Sequence, residues 1–217
     1  MDQLYCPEAT HEIETNRARA DRVLFDDYRI VPNLLTCERK YHPTCDYLVK
    51  VQTDIKQHMR REVATWMLEV CEERGCEEVV FPLSVNLMDR FLSIVNIHRS
   101  QLQLLASVCL LAASKLRQTR SFSVEQLCYY TDHSITPEEL ISWELLVLTK
   151  LGWDLGSIVA TDFVDYTLHS LQKHAKLGSR VRQHAFTFIS LCAIGGGKNQ
   201  VLHETRPGKR YSCEYKG

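Results

Sequence analysis

The sequence contains none of the residue spacings that mark common catalytic sites. The patterns of a phosphate-binding loop, a nucleophile elbow and a zinc-protease helix are all absent. The glycine run 195–197 precedes Lys198, but no Ser or Thr follows that lysine, so a phosphate loop is not indicated. His169 and His174 are five residues apart, one more than two metal ligands on one helix face require. We therefore expect no enzyme active site, no metal and no cofactor, which leaves binding surfaces as the chemistry to look for.

Two charged residues lie beside apolar helix faces. Lys115 follows the apolar run 110–114, and Glu144 follows Trp143 inside an apolar segment. A charge in such a place needs a partner or water. Two interpretations remain open: the side chains are solvated or paired with each other, or they are presented as a pair to the backbone of another protein.

Residues 4–8 read L-x-C-x-E. Pro7 excludes a helix there and pushes Cys6 toward extended geometry. In an extended segment Leu4, Cys6 and Glu8 point the same way, because side chains alternate along it. The three residues therefore suit a groove with two apolar pockets and a site for one carboxylate.

The composition is that of a globular protein in a reducing compartment. The 217 residues are 45% apolar, which excludes disorder of the whole chain. The net charge of −1 shows no excess of basic residues of the kind that binds nucleic acid. The nine cysteines include no C-x-x-C, which indicates free thiols. Residues 1–22 hold no secretion-signal core, and the longest apolar run, 104–114, is too short to span a membrane. We expect a cytosolic or nuclear protein.

Apolar residues recur at helical spacing from about residue 54 to 193, and the alternation typical of strands is nearly absent. The expected helices are Ile55–Glu73, Pro82–Ile94, Ser100–Gln118, Ser123–Tyr130, Thr136–Gly152, Thr161–Lys173 and Ser179–Ala193. The third of them is apolar nearly all round and is expected at the centre of a bundle. Ser123 with Gln126, and Thr136 with Glu139, predict capping boxes at two helix starts.

Five blocks of sequence, in order, resemble the cyclin box, and the fuller match is to the D-type cyclins. The blocks are Met59–Glu73, Val80–Leu83, Leu87–Leu92, Leu102–Leu105 with Ala113–Lys115, and Tyr130–Asp132. The resemblance covers about Asp21–Ala193. It implies an all-α chain: an N-terminal helical segment (21–53), a five-helix cyclin fold (54–155) and an incomplete second cyclin repeat (156–194). Residues 1–20 and 195–217 are expected to be disordered.

The resemblance implies a regulatory subunit, not an enzyme, that activates a cyclin-dependent kinase, four or six, and so drives entry into DNA synthesis. In the family, the lysine and glutamate at the positions of Lys115 and Glu144 grip the mobile helix of the kinase. Leu148, Trp153 and Leu155 are implied to pack beside them. The L-x-C-x-E motif holds retinoblastoma protein in D-type cyclins. The expected location is the nucleus and the cytoplasm.

Two further sets of residues match family positions. Arg60 and Asp89 resemble a pair that ties the first helix of the box to the second, and we expect a buried structural ion pair there. A groove that docks substrates and kinase inhibitor proteins is implied by Met59, Val63, Trp66 and Gln103. Core packing remains an alternative for Val63 and Trp66.

The sequence departs from the family pattern at several places. Glu62 stands in the groove where relatives carry an apolar residue, and Gln118 stands where they usually carry an acid. Residues 25–32 resemble an insertion that is expected to disturb the N-terminal helix, with a break at Pro32. After Ala193 about three further helices are expected but missing. Gly197-Lys198 reads like a translated splice donor, which suggests a retained intron or a gene-model error.

The missing helices are expected to leave the second repeat loose, with its apolar side chains unpartnered. These side chains are Phe163, Tyr166, Leu168, Leu171, Phe186, Phe188, Ile189 and Leu191. A first alternative function is therefore a non-activating module that sequesters kinase or retinoblastoma protein. A second is a cyclin-fold transcription factor that contacts DNA, which the mildly acidic residues 1–194 disfavour.

Overall fold

The structure is a computed structural model that describes residues 21–43, 46–172 and 180–196. Within these ranges every regular element is helical, which confirms the all-α prediction. The helices are α1 (Arg22–Asp26), α2 (Ile30–Lys40), α3 (Tyr47–Lys50), α4 (Gln57–Arg74), α5 (Val80–Leu92), α6 (Leu102–Arg117), α7 (Val124–Tyr130), α8 (Pro137–Lys150), α9 (Thr161–Gln172) and α10 (Arg180–Gly195). Of the segments predicted to be disordered, 1–20 and 197–217 lie outside the described residues. The prediction was wrong for Gly195, which is the last residue of α10.

Local signals set the ends of the best-defined helices. The backbone N–H of Gln126 donates to the Ser123 hydroxyl at 3.2 Å, and that of Glu139 donates to the Thr136 hydroxyl at 3.2 Å. Both glutamine and glutamate side chains return a hydrogen bond to their cap residue, so the two predicted capping boxes are confirmed. Helix α4 ends at Gly75, whose φ of 65° is the left-handed conformation that glycine adopts without steric cost.

Helix α6 lies at the centre of a five-helix unit formed by α4–α8. Its residues from Leu104 to Ser114 are all buried, and it packs against α4, α5 and α8. A helix with no polar face is stable only when other helices surround it. Each large side chain such as Leu105 or Leu110 contributes about 1.5–3 kcal/mol when fully buried. The predicted central helix is therefore confirmed.

A buried guanidinium connects three helices. Arg60 of α4 is 2% exposed and contacts Asp89 of α5 through two hydrogen bonds of 3.0 and 2.7 Å. Its Nη1 donates to the carbonyls of Ala193 and Ile194 at the end of α10, at 2.8 Å each. The Tyr47 hydroxyl donates to Asp89 at 2.7 Å. Burial opposes the charge, but Asp89 outweighs it and the pKa of Arg60 is raised.

The N-terminal segment is interrupted, but at a different place from the one predicted. Helix α1 ends at Asp26 and α2 begins at Ile30. Between them the Asp27 carboxylate accepts the backbone N–H of Arg29 at 2.9 Å, and hydrogen bonds from Arg29 lower the pKa of Asp27 to about 2. Pro32 lies in the first turn of α2, where its missing N–H has no helical acceptor to lose. The prediction of a break at Pro32 was therefore wrong.

Helices α9 and α10 follow the five-helix unit where the resemblance implies the second repeat. Phe163 and Phe186 are buried, so for these two side chains the expected loss of partners was wrong. Phe188 and Leu191 are 67% and 57% exposed. The aromatic ring of Tyr166 lies 4.9 Å from that of Phe25, so α1 covers part of α9. Leu171 of α9 is 48% exposed as well, so the apolar surface that remains open includes residues of both helices.

We predict that Arg60→Met lowers the free energy of unfolding by about 3–5 kcal/mol, because Asp89 would be left buried without its counter-charge. Chemical denaturation followed by circular dichroism measures this change. The matched control is Arg61→Met, next in the same helix but exposed, which is expected to change stability by less than about 0.5 kcal/mol. Equal effects of the two substitutions would contradict the structural role of Arg60.

Candidate functional site

The two charged residues singled out from the sequence meet at the surface. Lys115 lies in the last turn of α6 and Glu144 in the middle of α8. The Lys115 Nζ donates to Glu144 Oε1 at 2.6 Å. The lysine side chain is 49% exposed and the glutamate side chain 18%. The structure thus pairs the two side chains with each other and leaves the lysine accessible to solvent. An ammonium group has three N–H donors, and the hydrogen bond to Glu144 does not use all of them.

Apolar side chains surround this pair on the outer face of α8. Ile141 and Leu145 are 56% and 58% exposed, and Leu148 is half-buried. Together with Glu144 they follow the i, i+3, i+4, i+7 spacing of one helix face. Leu140 and Val147 lie on another face of α8 and are buried against α6 and its neighbours. Helix α8 is therefore apolar on two faces, and only one of them faces the core.

Sequence analysis did not single out Ile141 and Leu145. The i, i+3, i+4, i+7 spacing of Ile141, Glu144, Leu145 and Leu148 was a signal that could have found them. The sequence alone does not decide which of two apolar faces on α8 packs inward, because that depends on α6. An exposed apolar stripe next to a charged pair is typical of an interaction surface.

The segment after α8 exposes the indole of Trp153. Gly152 and Trp153 have φ values of 63° and 60°, and Trp153 N–H donates to the Leu148 carbonyl at 2.8 Å. A left-handed conformation is unfavourable for a bulky residue. The indole is nevertheless 66% exposed, so it contributes little to the core. Leu155 is half-buried and packs against the core cluster. The structure thus shows Lys115 in contact with Glu144 and the backbone of Trp153 bonded to that of Leu148, whereas Leu155 serves the core.

Asp154 fixes the position of this segment relative to α2. Its carboxylate accepts hydrogen bonds from Lys40 Nζ at 2.6 Å and from the Tyr41 hydroxyl at 2.9 Å. The Lys40 bond is the main reason that the pKa of Asp154 is lowered. The Arg90 guanidinium lies 5.2 Å from the Tyr41 ring centroid. Sequence analysis missed the contact of Asp154 with Lys40 and Tyr41, because no local pattern links residues more than 110 positions apart.

A second surface feature is a shallow groove between α4 and the start of α6. Its volume is about 550 Å³, and Met59, Val63, Trp66 and Gln103 all line it. Val63 and Trp66 are half-buried, and both also contact the core, so each serves packing and surface at once. Glu62 lines the same groove and is exposed. The groove is therefore lined by apolar side chains together with charges of both signs, since Arg99 lines it as well as Glu62.

Leu4, Cys6 and Glu8 lie outside the described residues, so the L-x-C-x-E motif has no structural account. No group of three or more His, Cys, Asp or Glu side chains in the described ranges is placed to hold a metal ion. Of the helices that the structure describes, none is both long and apolar enough to cross a membrane. The six cysteines in these parts of the chain are all free.

Comparison with known proteins gives the same family by two routes. Residues 29–156 match the family described as cyclin, N-terminal domain. The chain is 48% identical to human G1/S-specific cyclin-D3 over 191 residues, which are 88% of this chain and 65% of that protein. It is 51% identical to rat G1/S-specific cyclin-D2 over 177 residues, which are 82% of this chain and 61% of that protein. The chain thus spans less than two thirds of these relatives.

A solved structure shows the same architecture. The X-ray structure of a viral cyclin from herpesvirus saimiri matches with a TM-score of 0.69 and 31% identity, over 76% of this chain and 72% of that one. The five-helix unit, the family match and the identity to D-type cyclins agree with one another. We conclude that this chain belongs to the cyclin family.

Proposed function

We propose that the chain is a non-catalytic regulatory subunit that binds and activates a cyclin-dependent kinase. The observation that carries this proposal is the Lys115–Glu144 pair, which lies at the surface within an apolar stripe. Membership of the cyclin family supports the choice of partner. The mobile helix of the kinase would lie against α8 and the last turn of α6.

The two charges have complementary uses toward a helix of a partner. Lys115 keeps ammonium donors for backbone carbonyls, which a helix offers at its C-terminal end. Glu144 keeps an acceptor oxygen for backbone N–H groups, because only Oε1 is engaged by Lys115. Around them Ile141, Leu145 and Trp153 supply apolar area, and each such side chain contributes about 1.5–3 kcal/mol when covered.

Activation in this proposal is a shift of population. A kinase is active only when a lysine–glutamate ion pair in its own active site is assembled, and the glutamate is carried by the mobile helix. The cyclin binds the assembled orientation of that helix better than the other. It can shift the equilibrium only by this difference in affinity. The rigid packing of α6 and α8 supports such discrimination, because it holds both charges in fixed positions.

We further propose kinase four or six as the partner and retinoblastoma protein as the recruited substrate. Resemblance to the D-type cyclins and the L-x-C-x-E motif at Leu4, Cys6 and Glu8 support this choice. The groove at Met59, Val63, Trp66 and Gln103 would dock kinase inhibitor proteins or substrates. Glu62 would attract a basic residue of the docked peptide, against the opposing charge of Arg99 on the same lining. The proposed location is the nucleus and the cytoplasm.

A second candidate function is binding of the kinase without activation. The proposed kinase-binding residues all lie in α6, α8 and the segment 152–155, so binding need not involve α9 or α10. Phosphorylation of a retinoblastoma fragment by the purified complex distinguishes the two functions. Phosphate incorporation above that of the free kinase supports activation, and stable binding with no increase supports the second candidate.

We predict that Lys115→Glu weakens kinase binding by about 2 kcal/mol or more, which is about thirtyfold in Kd. The substitution places two carboxylates together at the contact and removes the donor. Titration calorimetry with purified kinase measures the change. The control is Lys150→Glu, which makes the same charge change away from the apolar stripe. Lys150 is two and a half helical turns from Ile141 and therefore lies on the opposite side of α8. Retained affinity in folded Lys115→Glu would defeat the assignment.

We predict that Glu8→Lys abolishes capture of retinoblastoma protein and leaves kinase affinity unchanged, because the carboxylate site of the groove would meet an ammonium. A pull-down with purified retinoblastoma protein measures capture. Glu14→Lys, with the same charge change outside the motif, is the matched control and is expected to bind as the wild type does. Equal capture by both variants would exclude this motif as the contact.

A further inference from the structure

The C-terminus of α4 places two cysteines against each other. The Gly75 N–H donates to the Glu72 carbonyl at 3.1 Å, and the Cys76 N–H donates to the Cys71 carbonyl at 2.9 Å. With the left-handed Gly75, these two bonds form a Schellman motif. In this motif the side chain after the glycine characteristically contacts the side chain of the helical residue whose carbonyl accepts its N–H, here Cys71. Here both residues are cysteines, so the contact brings two thiols together.

The two thiols differ in their surroundings. Cys71 is buried at 6% exposure, whereas Cys76 is only partly buried. The pKa of the Cys76 thiol is lowered, chiefly by a hydrogen bond from Cys71 and further by Gln118 and Arg74, against the opposing effect of burial. The pKa of Cys71 is raised by the same hydrogen bond and by burial. Cys76 is thus the accessible nucleophile and Cys71 the buried donor beside it.

We propose that Cys71 and Cys76 form a redox-reactive dithiol, which a hydroperoxide converts into a disulfide within the C-terminal cap of α4. The kinase-binding function plays no part in this proposal. The reagent is a small hydroperoxide such as hydrogen peroxide, and a dithiol reductant reverses the reaction.

The reaction has two steps. The Cys76 thiolate attacks one peroxide oxygen, the O–O bond breaks, and hydroxide leaves while the sulfur becomes a sulfenic acid. The Cys71 sulfur then attacks the Cys76 sulfur, the S–O bond breaks, and water leaves with the Cys71 proton. Two thiols lose two electrons in total, and the peroxide is reduced to two waters. Once Cys76 is a sulfenic acid its negative charge is gone, so deprotonation of Cys71 becomes easier.

The local backbone favours the second step. The backbone hydrogen bond from the Cys76 N–H to the Cys71 carbonyl holds the two residues side by side. This closeness favours a disulfide, because disulfide formation requires close α-carbons. Only four residues separate the two cysteines along the chain, so closure orders little additional chain. The raised pKa values of Cys109 and Cys128 are caused by burial and nearby carboxylates, with no second thiol among the causes. The Cys71–Cys76 pair differs from these two buried thiols because each of its sulfurs has another sulfur as hydrogen-bond partner.

Trypsin provides a direct test, because it cleaves after Arg74, between the two cysteines. The full reduced chain is treated with hydrogen peroxide, the remaining thiols are alkylated, and the protein is denatured and digested without reductant. We expect peptides 62–74 and 75–90 to be recovered as one disulfide-linked species that reductant separates. Recovery of both peptides unlinked, under conditions that oxidise the exposed Cys37, would overturn the proposal.

Variants assign the order of the two steps. Cys71→Ala is expected to stop the reaction at the Cys76 sulfenic acid, which dimedone traps on peptide 75–90. Cys76→Ser is expected to give neither the linked species nor dimedone labelling on peptide 62–74. Dimedone labelling of Cys71 in the Cys76→Ser protein would overturn the assignment of Cys76 as the nucleophile. The wild-type digestion needs no variant to fold and decides whether the disulfide forms.

Discussion

The burial of α6 on all sides is the constraint on which the rest of the structure depends. Such a helix must be enclosed by neighbours, and α4, α5 and α8 enclose it. Its apolar run ends at Ser114, so the helix emerges at the surface one residue later, at Lys115. The position of this lysine is therefore set by the core and not by a flexible loop. Glu144 is held with the same rigidity, because α8 buries Leu140 and Val147 on the neighbouring face.

Two of the ion pairs in the described residues, Arg60–Asp89 and Lys115–Glu144, act differently because their burial differs. Arg60–Asp89 is enclosed and also satisfies the last carbonyls of α10, so it joins the five-helix unit to the helices that follow. Replacing one partner leaves a buried charge without compensation. Lys115–Glu144 is half open to solvent, where a pair contributes little to stability. Such a pair can contribute more to the binding of a partner than to the stability of its own fold.

Features set by neighbouring residues were predictable from the sequence. The capping boxes at Ser123 and Thr136 and the stop at Gly75 depend on contacts within a few residues. An interruption of the N-terminal helix was predicted from the unusual segment 25–32. The prediction placed it at Pro32, but the helix is interrupted near residue 28, since proline in a first helical turn is compatible with the helix.

Features set by distant residues were not predictable in the same way. The sequence left Lys115 and Glu144 as either solvated, mutually paired or presented to a partner, and only the packing of α6 on α8 shows them in contact. The contact of Lys40 and Tyr41 with Asp154, which fixes the segment that carries Trp153, has no local signature. Burial of Phe163 and Phe186 likewise depends on how α9 and α10 pack.

The most direct test of the central claim is the kinase affinity of the double variant Lys115→Glu/Glu144→Lys, measured by calorimetry. The exchange preserves an ion pair between α6 and α8 but reverses the charges that a partner meets. The account predicts wild-type stability together with a loss of affinity of at least about thirtyfold. Wild-type affinity in the double variant would contradict it, since the pair would then serve the fold and not the partner.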